Sequence, residues 1–490
     1  MRLSQANISH LSNQIAKPQY NRKLINSGIV HIGVGGFHRS HQAYYIHQLM
    51  QRYNLTNWGI CGVGLREEDR KISDILGSQD LMYSLITQHP DGQLDCEIIG
   101  SLNEYILSID FPEDVLDKMA HPDIKIVSLT ITEGGYNFNP STGEFNLDHP
   151  DVQHDLKHPD NPKTVFGYLS AALRSRLQNS IKPFTVLSCD NIQHNGDATK
   201  KMLLSFVKEQ DTLLYKWIDE NVRFPNSMVD RITPVTSIEI IDMLMEKHGV
   251  EDKWPVVCEP YIQWVIEDNF CNVRPPLEKL GVQFVPDVTP YEKMKIRLLN
   301  AGHSVLGIPG AIHGHKTIDE CMNDQVFSLF MRQFMDKEVT PILGHIEGID
   351  LTKYKNSLEE RFSNPNLKDS VDRICSESSA KLPKFLIPTI KENLKIGGSV
   401  KYGILILAAW CYYHDKGSDE SGIPLNILDH QKSLLHQAAK DTQKNWTSFL
   451  NQPEIFGDLF NNIRFVSEYT AVIKAIYQEE NIKKVMSELI

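Results

Sequence analysis

The sequence predicts an α/β amino-terminal domain built on a doubly wound parallel sheet, followed by a mostly α-helical carboxy-terminal domain. Three observations carry this. Short apolar runs alternate with helical segments in the first half. A glycine-rich turn follows the first of those runs. Near residue 285 the texture changes, strand signals become few, and helical periodicity dominates to the end. The two domains are placed at 1–285 and 286–490, with the boundary in GVQFVPDVTPYEK, where two prolines interrupt the pattern.

In chain order, GIVHIG (28–33) reads as a buried strand, and HRSHQAYYIHQLMQRY continues from its glycine turn with helical spacing. WGICGVGL (58–65) is a second strand running into the charged stretch REEDR. IKIVSLTIT (124–132) is a third, ending at EGG. FTVLSCDN (184–191) is a fourth, with a helix from about Asp197. Beyond the boundary, helices are expected at 291–307, 318–336, 370–392, 400–414, 431–450 and 464–488.

Composition narrows the function classes. The chain has 490 residues, 41% of them hydrophobic and 23% charged, an ordinary globular balance for two domains with substantial cores. A formal net charge of −12 with no Lys/Arg run argues against nucleic acid as a partner. No apolar run approaches membrane-spanning length, so no membrane association is expected. The first twenty residues hold no apolar signal-peptide segment. Eight scattered cysteines without a CxxC pair fit reduced thiols, and the expected location is the cytoplasm.

GVGGFHR (33–39) follows a strand and opens a helix, the setting in which glycines let backbone approach a pyrophosphate at a helix N-terminus. Gly33 and Gly35 match the first two glycines of GxGxxG, while His38 stands where the third would be. Gly33, Gly35, Gly36 and Phe37 are the candidate cofactor contacts. Just beyond the second strand, Glu68 and Asp69 could accept from ribose hydroxyls and repel the extra phosphate of NADP, which favours NAD. Their spacing from the glycines, roughly thirty residues, exceeds the usual ~20. Arg66, Arg70 and Lys71 keep NADP open as a minority reading.

YEKMKIRLLNAGHS (291–304) carries the candidate chemistry. At about 100° per residue, Lys295, His303 and Asn300 fall near 0°, 80° and 140°, with Met294, Leu298, Ala301 and Val305 opposite. A desolvated lysine can remove the proton of an alcohol that is losing hydride, an asparagine amide can donate to the alkoxide, and a histidine can orient a further hydroxyl. Most helix lysines face solvent, so the pattern alone favours that plainer reading. Asn191, at the end of the fourth strand in DNIQHNG, is a second candidate donor, although Asn191 and Asn195-Gly196 could equally be turn residues.

IVHIGVGGFHRSHQAYY, WGICGVGLREEDR, SLTITEGGYNF, LSCDNIQHNG, FPNSMVDRITP, EPYIQWVIED, YEKMKIRLLNAGHS and SAKLPKF, in that order from residue 29 to about 385, resemble the polyol-specific long-chain dehydrogenases. The resemblance implies a Rossmann-type NAD-binding domain and a helical second domain. It implies zinc-independent oxidation of a hexitol at C2, D-mannitol to D-fructose, on a small-molecule polyol or ketose substrate, by a monomer. The family's KxxxxNxxH motif falls on Lys295 as general base, with Asn300 and His303. Asn191 joins Asn300 in an oxyanion hole, and Glu292 serves as proton relay. Asp69, with Glu68 beside it, selects the cofactor. Asp230, Arg373 and Lys381 fall on substrate-binding segments, and the histidine at 38 is the family's own form of the turn. Fructuronate or tagaturonate reduction, with Arg373 or Lys381 on a carboxylate, is the nearest alternative, and D-arabinitol or D-sorbitol oxidation is another. No metal is expected: His38, His41 and His47 have no cysteine joining them, and His313 and His315 are read as loop residues.

Overall fold

The computed structural model describes residues 1–139 and 143–490. It divides into two compact units, Met1–His89 with Gln93–Thr289, and Pro90–Gly92 with Pro290–Ile490.

The strands of the first unit are β1 (Ser27–Ile32), β2 (Gly59–Gly64), β3 (Tyr83–Gln88), β4 (Leu94–Ile99), β5 (Leu102–Leu107), β6 (Ile126–Leu129), β7 (Thr185–Ser188), β8 (Ser227–Asp230), β9 (Val256–Cys258), β10 (Gln263–Glu267) and β11 (Gln283–Val285). Five of them make a parallel sheet in the order β5-β2-β1-β6-β7. Every residue of β1, β2, β6 and β7 is buried, because a doubly wound sheet is covered on both faces. These are the four strands that the apolar runs announce. β5 was not anticipated: LNEYIL lies at the sheet edge and mixes charged with apolar residues. The two three-stranded sheets, β4-β3-β9 and β11-β10-β8, were likewise not anticipated. The chain runs from β1 outward to β2 and β5, then returns to the other side of β1 with β6 and β7. The switch point, where such sheets bind ligands, therefore lies beyond the carboxyl ends of β1 and β6.

The named elements of the second unit are helices. Its central rod is Lys401–Lys416, buried from Tyr402 to His414 and packed against Ile463–Glu479 and Ala301–His313. The helix expected over 370–392 is instead Val371–Cys375, Ser378–Phe385 and Ile387–Ile396. Glu377 at φ 51° breaks the first junction, and a Leu386–Ile387–Pro388 step breaks the second. Leu351–Phe362 was missed, since its charged and amide residues dilute the apolar period. The single helix expected over 291–307 is in fact three consecutive segments, described with the site below.

Glu338 is fully buried at the N-terminus of the central rod. Its carboxylate accepts from the backbone N–H of Tyr402 (2.8 Å) and Gly403 (2.9 Å) and from Ser399 Oγ (3.1 Å). Desolvation outweighs these donors and pushes its pKa up to about 7. The folded state therefore holds a proton that the unfolded chain releases near 4.5, so the stability this proton contributes is full below about 4.5 and lost as pH rises through 7. Across that window the change amounts to as much as ~3 kcal/mol. Chemical denaturation of wild type and Glu338→Gln at pH 5 and pH 8 checks this. The stability of Glu338→Gln relative to wild type should rise by a few kcal/mol toward the higher pH, and an unchanged difference would reject the assignment.

Candidate active site

The glycine turn joins β1 to a short helix, Gly36–Ser40. Gly33 has φ 93°, and a Cβ there would lie 2.1 Å from the Thr130 carbonyl oxygen, so only glycine fits. At Gly35 and Gly36 a Cβ would meet nothing closer than 3.9 and 3.8 Å. This leaves an open backbone surface of the kind a pyrophosphate occupies. Phe37 is half-buried beside it and stacks on His41 at 4.9 Å. His38 turns inward, 1% exposed, its ring stacked 3.5 Å from His31. His31 in turn bonds Ser128 Oγ (2.8 Å) and Thr130 Oγ1 (2.9 Å). Burial lowers the pKa of both rings, His31 to about 3, so a neutral imidazole pair fills the space under the turn. The histidine in place of the third glycine is thus packing material and leaves the turn open.

Beyond β2, Asp69 is partly engaged by its own turn. Its Oδ2 accepts from the backbone N–H of Leu65 and Arg66, both at 3.0 Å, while its Oδ1 makes only a long contact, 3.8 Å, with the exposed Arg66 guanidinium. Glu68 is exposed. Two of the cations that kept NADP open are already occupied. Arg70 grips Glu67 (2.6 Å) and Asp110 (2.6 Å), and Lys71 lies over the Trp254 ring.

At the end of β7, Asp190 ties two loops together. It accepts from the backbone N–H of Ile131 (3.1 Å) and Thr132 (2.8 Å) and from Tyr136 Oη (2.9 Å), and burial raises its carboxyl pKa. Thr132 needs such a hold, since φ 58° is strained for a β-branched residue. Asn195 is more than a turn residue. Its amide donates to the carbonyls of Asp190 (3.0 Å) and Ser227 (2.8 Å) and its oxygen accepts from Ser227 N–H (2.9 Å), splicing this loop to β8. Asn191 stands exposed on the loop so braced, and Asp230, 4% exposed, is the last residue of β8. Asp190 and Asn195 went unrecognised in the sequence, where DN and NG both read as turn signals.

In the second unit, Thr289–Met294 is α-helical, Lys295–Asn300 is a π-helical turn, and Ala301–His313 resumes the α-helix. The α-helical wheel therefore fails between Lys295 and Asn300. With i→i+5 bonding, five residues come close to a full turn, so these two side chains share a side more nearly than the 140° suggests. The opposite face is as expected: Met294, Leu298, Ala301 and Val305 are fully buried. Lys295 itself is 8% exposed and Glu292 4%, which rules out the solvent-facing reading. The cations two residues either side are committed elsewhere, Lys293 (2.7 Å) and Arg297 (3.0 Å) both to Glu392.

His303 packs on Phe362, with ring centroids 4.2 Å apart, and its Nε2 lies 3.6 Å from Asp369 Oδ2. Arg373 Nε donates to Asp369 Oδ1 at 2.9 Å. Asp369, which sequence reasoning overlooked, thus links two candidates; the i, i+4 pairing with Arg373 was the available signal. The Arg373 side chain is 63% exposed and already paired, a poor start for gripping a substrate carboxylate. Lys381 donates to the carbonyl of Ile374 (3.1 Å), and burial, then the nearby Arg373 charge, lowers its pKa.

Comparison with known proteins matches both halves. Residues 27–279 match the mannitol dehydrogenase Rossmann domain and 287–477 the mannitol dehydrogenase C-terminal domain. Mannitol 2-dehydrogenase of Neosartorya fischeri is 45% identical over 94% of this chain and 93% of its own. That of Aspergillus oryzae is 43% identical over 99% and 98%. Among solved structures, Pseudomonas fluorescens mannitol 2-dehydrogenase, in ternary complex with NAD and D-mannitol, is 44% identical with a TM-score of 0.88, covering 100% of this chain and 99% of that one. A substrate-free D-sorbitol dehydrogenase is 37% identical with a TM-score of 0.92, covering 99% and 100%. With both domain models matched in order and near-complete coverage at more than 40% identity, the chain belongs to the mannitol dehydrogenase family.

Proposed function

We propose that this protein catalyses the reversible, NAD-dependent oxidation of D-mannitol at C2 to D-fructose. The observation that carries the reading is a lysine buried in a π-turn, Lys295, in a chain 43–45% identical over nearly its whole length to proteins named mannitol 2-dehydrogenase. Burial of a lysine disfavours its charged form, the direction a general base requires. In the oxidative direction the neutral Lys295 amine takes the proton of the C2 hydroxyl, and Glu292 passes it on. The Asn191 and Asn300 amides donate N–H to the oxygen as it gains negative charge, and as amides they do so at any working pH. In reverse, the same amides polarise the ketone and the Lys295 ammonium returns the proton. Asp230, His303, Arg373 and Lys381 hold the remaining hydroxyls.

Gly33, Gly35, Gly36 and Phe37 would hold the cofactor's pyrophosphate, and Asp69 through Oδ1, with Glu68, its ribose. The open surface over Gly35 and Gly36 fits that group. When bound, NAD supplies the hydride acceptor. The engagement of Arg70 and Lys71 supports NAD over NADP. We place the enzyme in the cytoplasm as a monomer. All eight cysteines being free thiols supports a reducing compartment, and mass by light scattering tests the oligomeric state.

A cuvette assay tests the activity. NADH oxidation is followed with D-fructose and with fructuronate, and NAD reduction with D-mannitol, D-sorbitol and D-arabinitol. Turnover with fructose and mannitol, and none with the uronate, is expected. Turnover with the uronate alone would overturn the polyol reading. A second reading, D-sorbitol as preferred polyol, is favoured by the likeness to the D-sorbitol dehydrogenase, and a higher kcat/KM for sorbitol than for mannitol would establish it.

A further inference from the structure

The helix that begins at Ala301 ends at His313, and Gly314, at φ 103°, turns the chain so that His315 comes back beside it with ring centroids 5.0 Å apart. Asp324, the N-cap of Gln325–Phe334, completes a cluster. One ligand atom from each of His313, His315 and Asp324 lies within 4.8 Å of the other two. We propose that these three residues form a binding site for a zinc-class divalent cation, separate from the Lys295 machinery.

The side chains around the cluster are arranged as a metal site needs. His313 Nδ1 donates to Glu420 Oε2 at 2.9 Å, the carboxylate behind an imidazole that fixes the ring and leaves its other nitrogen for a metal. Glu420 is fixed in turn, its Oε1 accepting from Ile482 N–H at 2.6 Å. His315 Nε2 is buried, makes no hydrogen bond and lies 3.9 Å from Asp324 Oδ2. Asp324 keeps its helix-capping role through Oδ1, which accepts from Val326 N–H at 3.0 Å, so Oδ2 can turn to a ligand. In a tetrahedral zinc site with bonds near 2.0–2.2 Å, ligand atoms lie about 3.4 Å apart. The cluster therefore needs only a modest closure of side chains, with water as fourth ligand.

One group competes. Lys483 Nζ lies 2.5 Å from Asp324 Oδ2, so an ammonium holds the carboxylate that the metal would take. Of the other charges nearby, Glu320 and Lys316 are exposed, and the buried Asp419 lies beside Gly314 with Lys316 Nζ 3.8 Å from its Oδ2. Binding a metal displaces Lys483, and the affinity should therefore rise when that cation is removed.

The test is calorimetric titration of the chelator-treated full chain with zinc at neutral pH. Co2+ serves as a spectroscopic probe, whose visible bands report coordination by nitrogen and oxygen ligands. One equivalent should bind saturably, with the bands of four-coordinate Co2+. His315→Ala should weaken binding by roughly tenfold or more, and Lys483→Met should tighten it. Circular dichroism checks that the variants fold. Absence of saturable binding to wild type overturns the proposal. So does His315→Ala binding as wild type does, which would place the metal elsewhere. Should His315→Ala not fold, Lys483→Met decides: a tighter site sustains the proposal, and unchanged affinity rejects it.

Discussion

Replacing Lys295 with alanine should reduce kcat by about 10²–10⁴-fold, the share that a positioned general base contributes, while NADH binding stays near wild type. The two effects separate because Lys295 belongs to the second unit, whereas the candidate cofactor contacts, Gly33 to Phe37 with Glu68 and Asp69, belong to the first. Lys295 is 8% exposed within a turn whose apolar face is fully buried, so alanine loses the amine without disturbing the packing of Met294 or Leu298. Lys295→Arg makes the companion test. A guanidinium keeps the charge and much of the length but cannot give up its proton at working pH, so it should fail nearly as badly as alanine. A lysine needed only for charge would instead be rescued by arginine. The measurement is steady-state turnover with D-mannitol and D-fructose across pH, beside NADH fluorescence titration. Alanine turnover within tenfold of wild type would remove Lys295 from the mechanism.

How much of this could be read in the sequence depends on the range of the forces that fix each part. β1, β2, β6 and β7 are continuous apolar runs because both faces of each are covered, and such runs are legible one at a time. β5 is an edge strand carrying Asn103 and Glu104, and its pairing with β2 is a tertiary fact that no local period encodes. Lys295, Asn300 and His303 could be singled out by residue type and spacing. Their relative orientation could not, because the α-helical wheel assumes a bonding pattern that the π-turn at 295–300 breaks. His38 looked like a defect in the glycine motif and proves to be the lower half of a stacked pair with His31, a contact visible only once β1 and its turn are folded. Asp69 was legible as an acid after β2, but not the use of one of its oxygens to cap its own turn. Asp190 and Asn195 were invisible for a common reason: each acts through partners on other segments, and the local signal of Asp or Asn is simply a turn. Asp369 showed only its i, i+4 spacing from Arg373, and its approach to His303 is a tertiary contact.

Gly33→Ala should abolish measurable NADH binding and lower the melting temperature of the protein even without cofactor. Two costs add. A non-glycine residue at φ 93° is strained by roughly 1–3 kcal/mol. The added methyl would also sit 2.1 Å from the Thr130 carbonyl oxygen and 3.0 Å from its carbon. These are backbone atoms, so no side-chain rotation relieves the clash, and β1 must move from the end of β6 at the switch point itself. Movement there is resisted by bonds between the same two residues: Thr130 Oγ1 donates to the Gly33 carbonyl at 2.7 Å, and His31 Nε2 lies 2.9 Å from that hydroxyl. Gly35→Ala provides the contrast, because a Cβ there meets nothing closer than 3.9 Å. The protein alone tolerates that methyl, so the apo melting temperature should hold while NADH affinity falls, through intrusion on the surface meant for the pyrophosphate. Thermal melts of both variants, with and without NADH, read the difference directly. If Gly33→Ala melts as wild type does, the turn is more pliable than its geometry allows. If Gly35→Ala binds NADH normally, the open backbone at residues 35 and 36 is not where the cofactor lies.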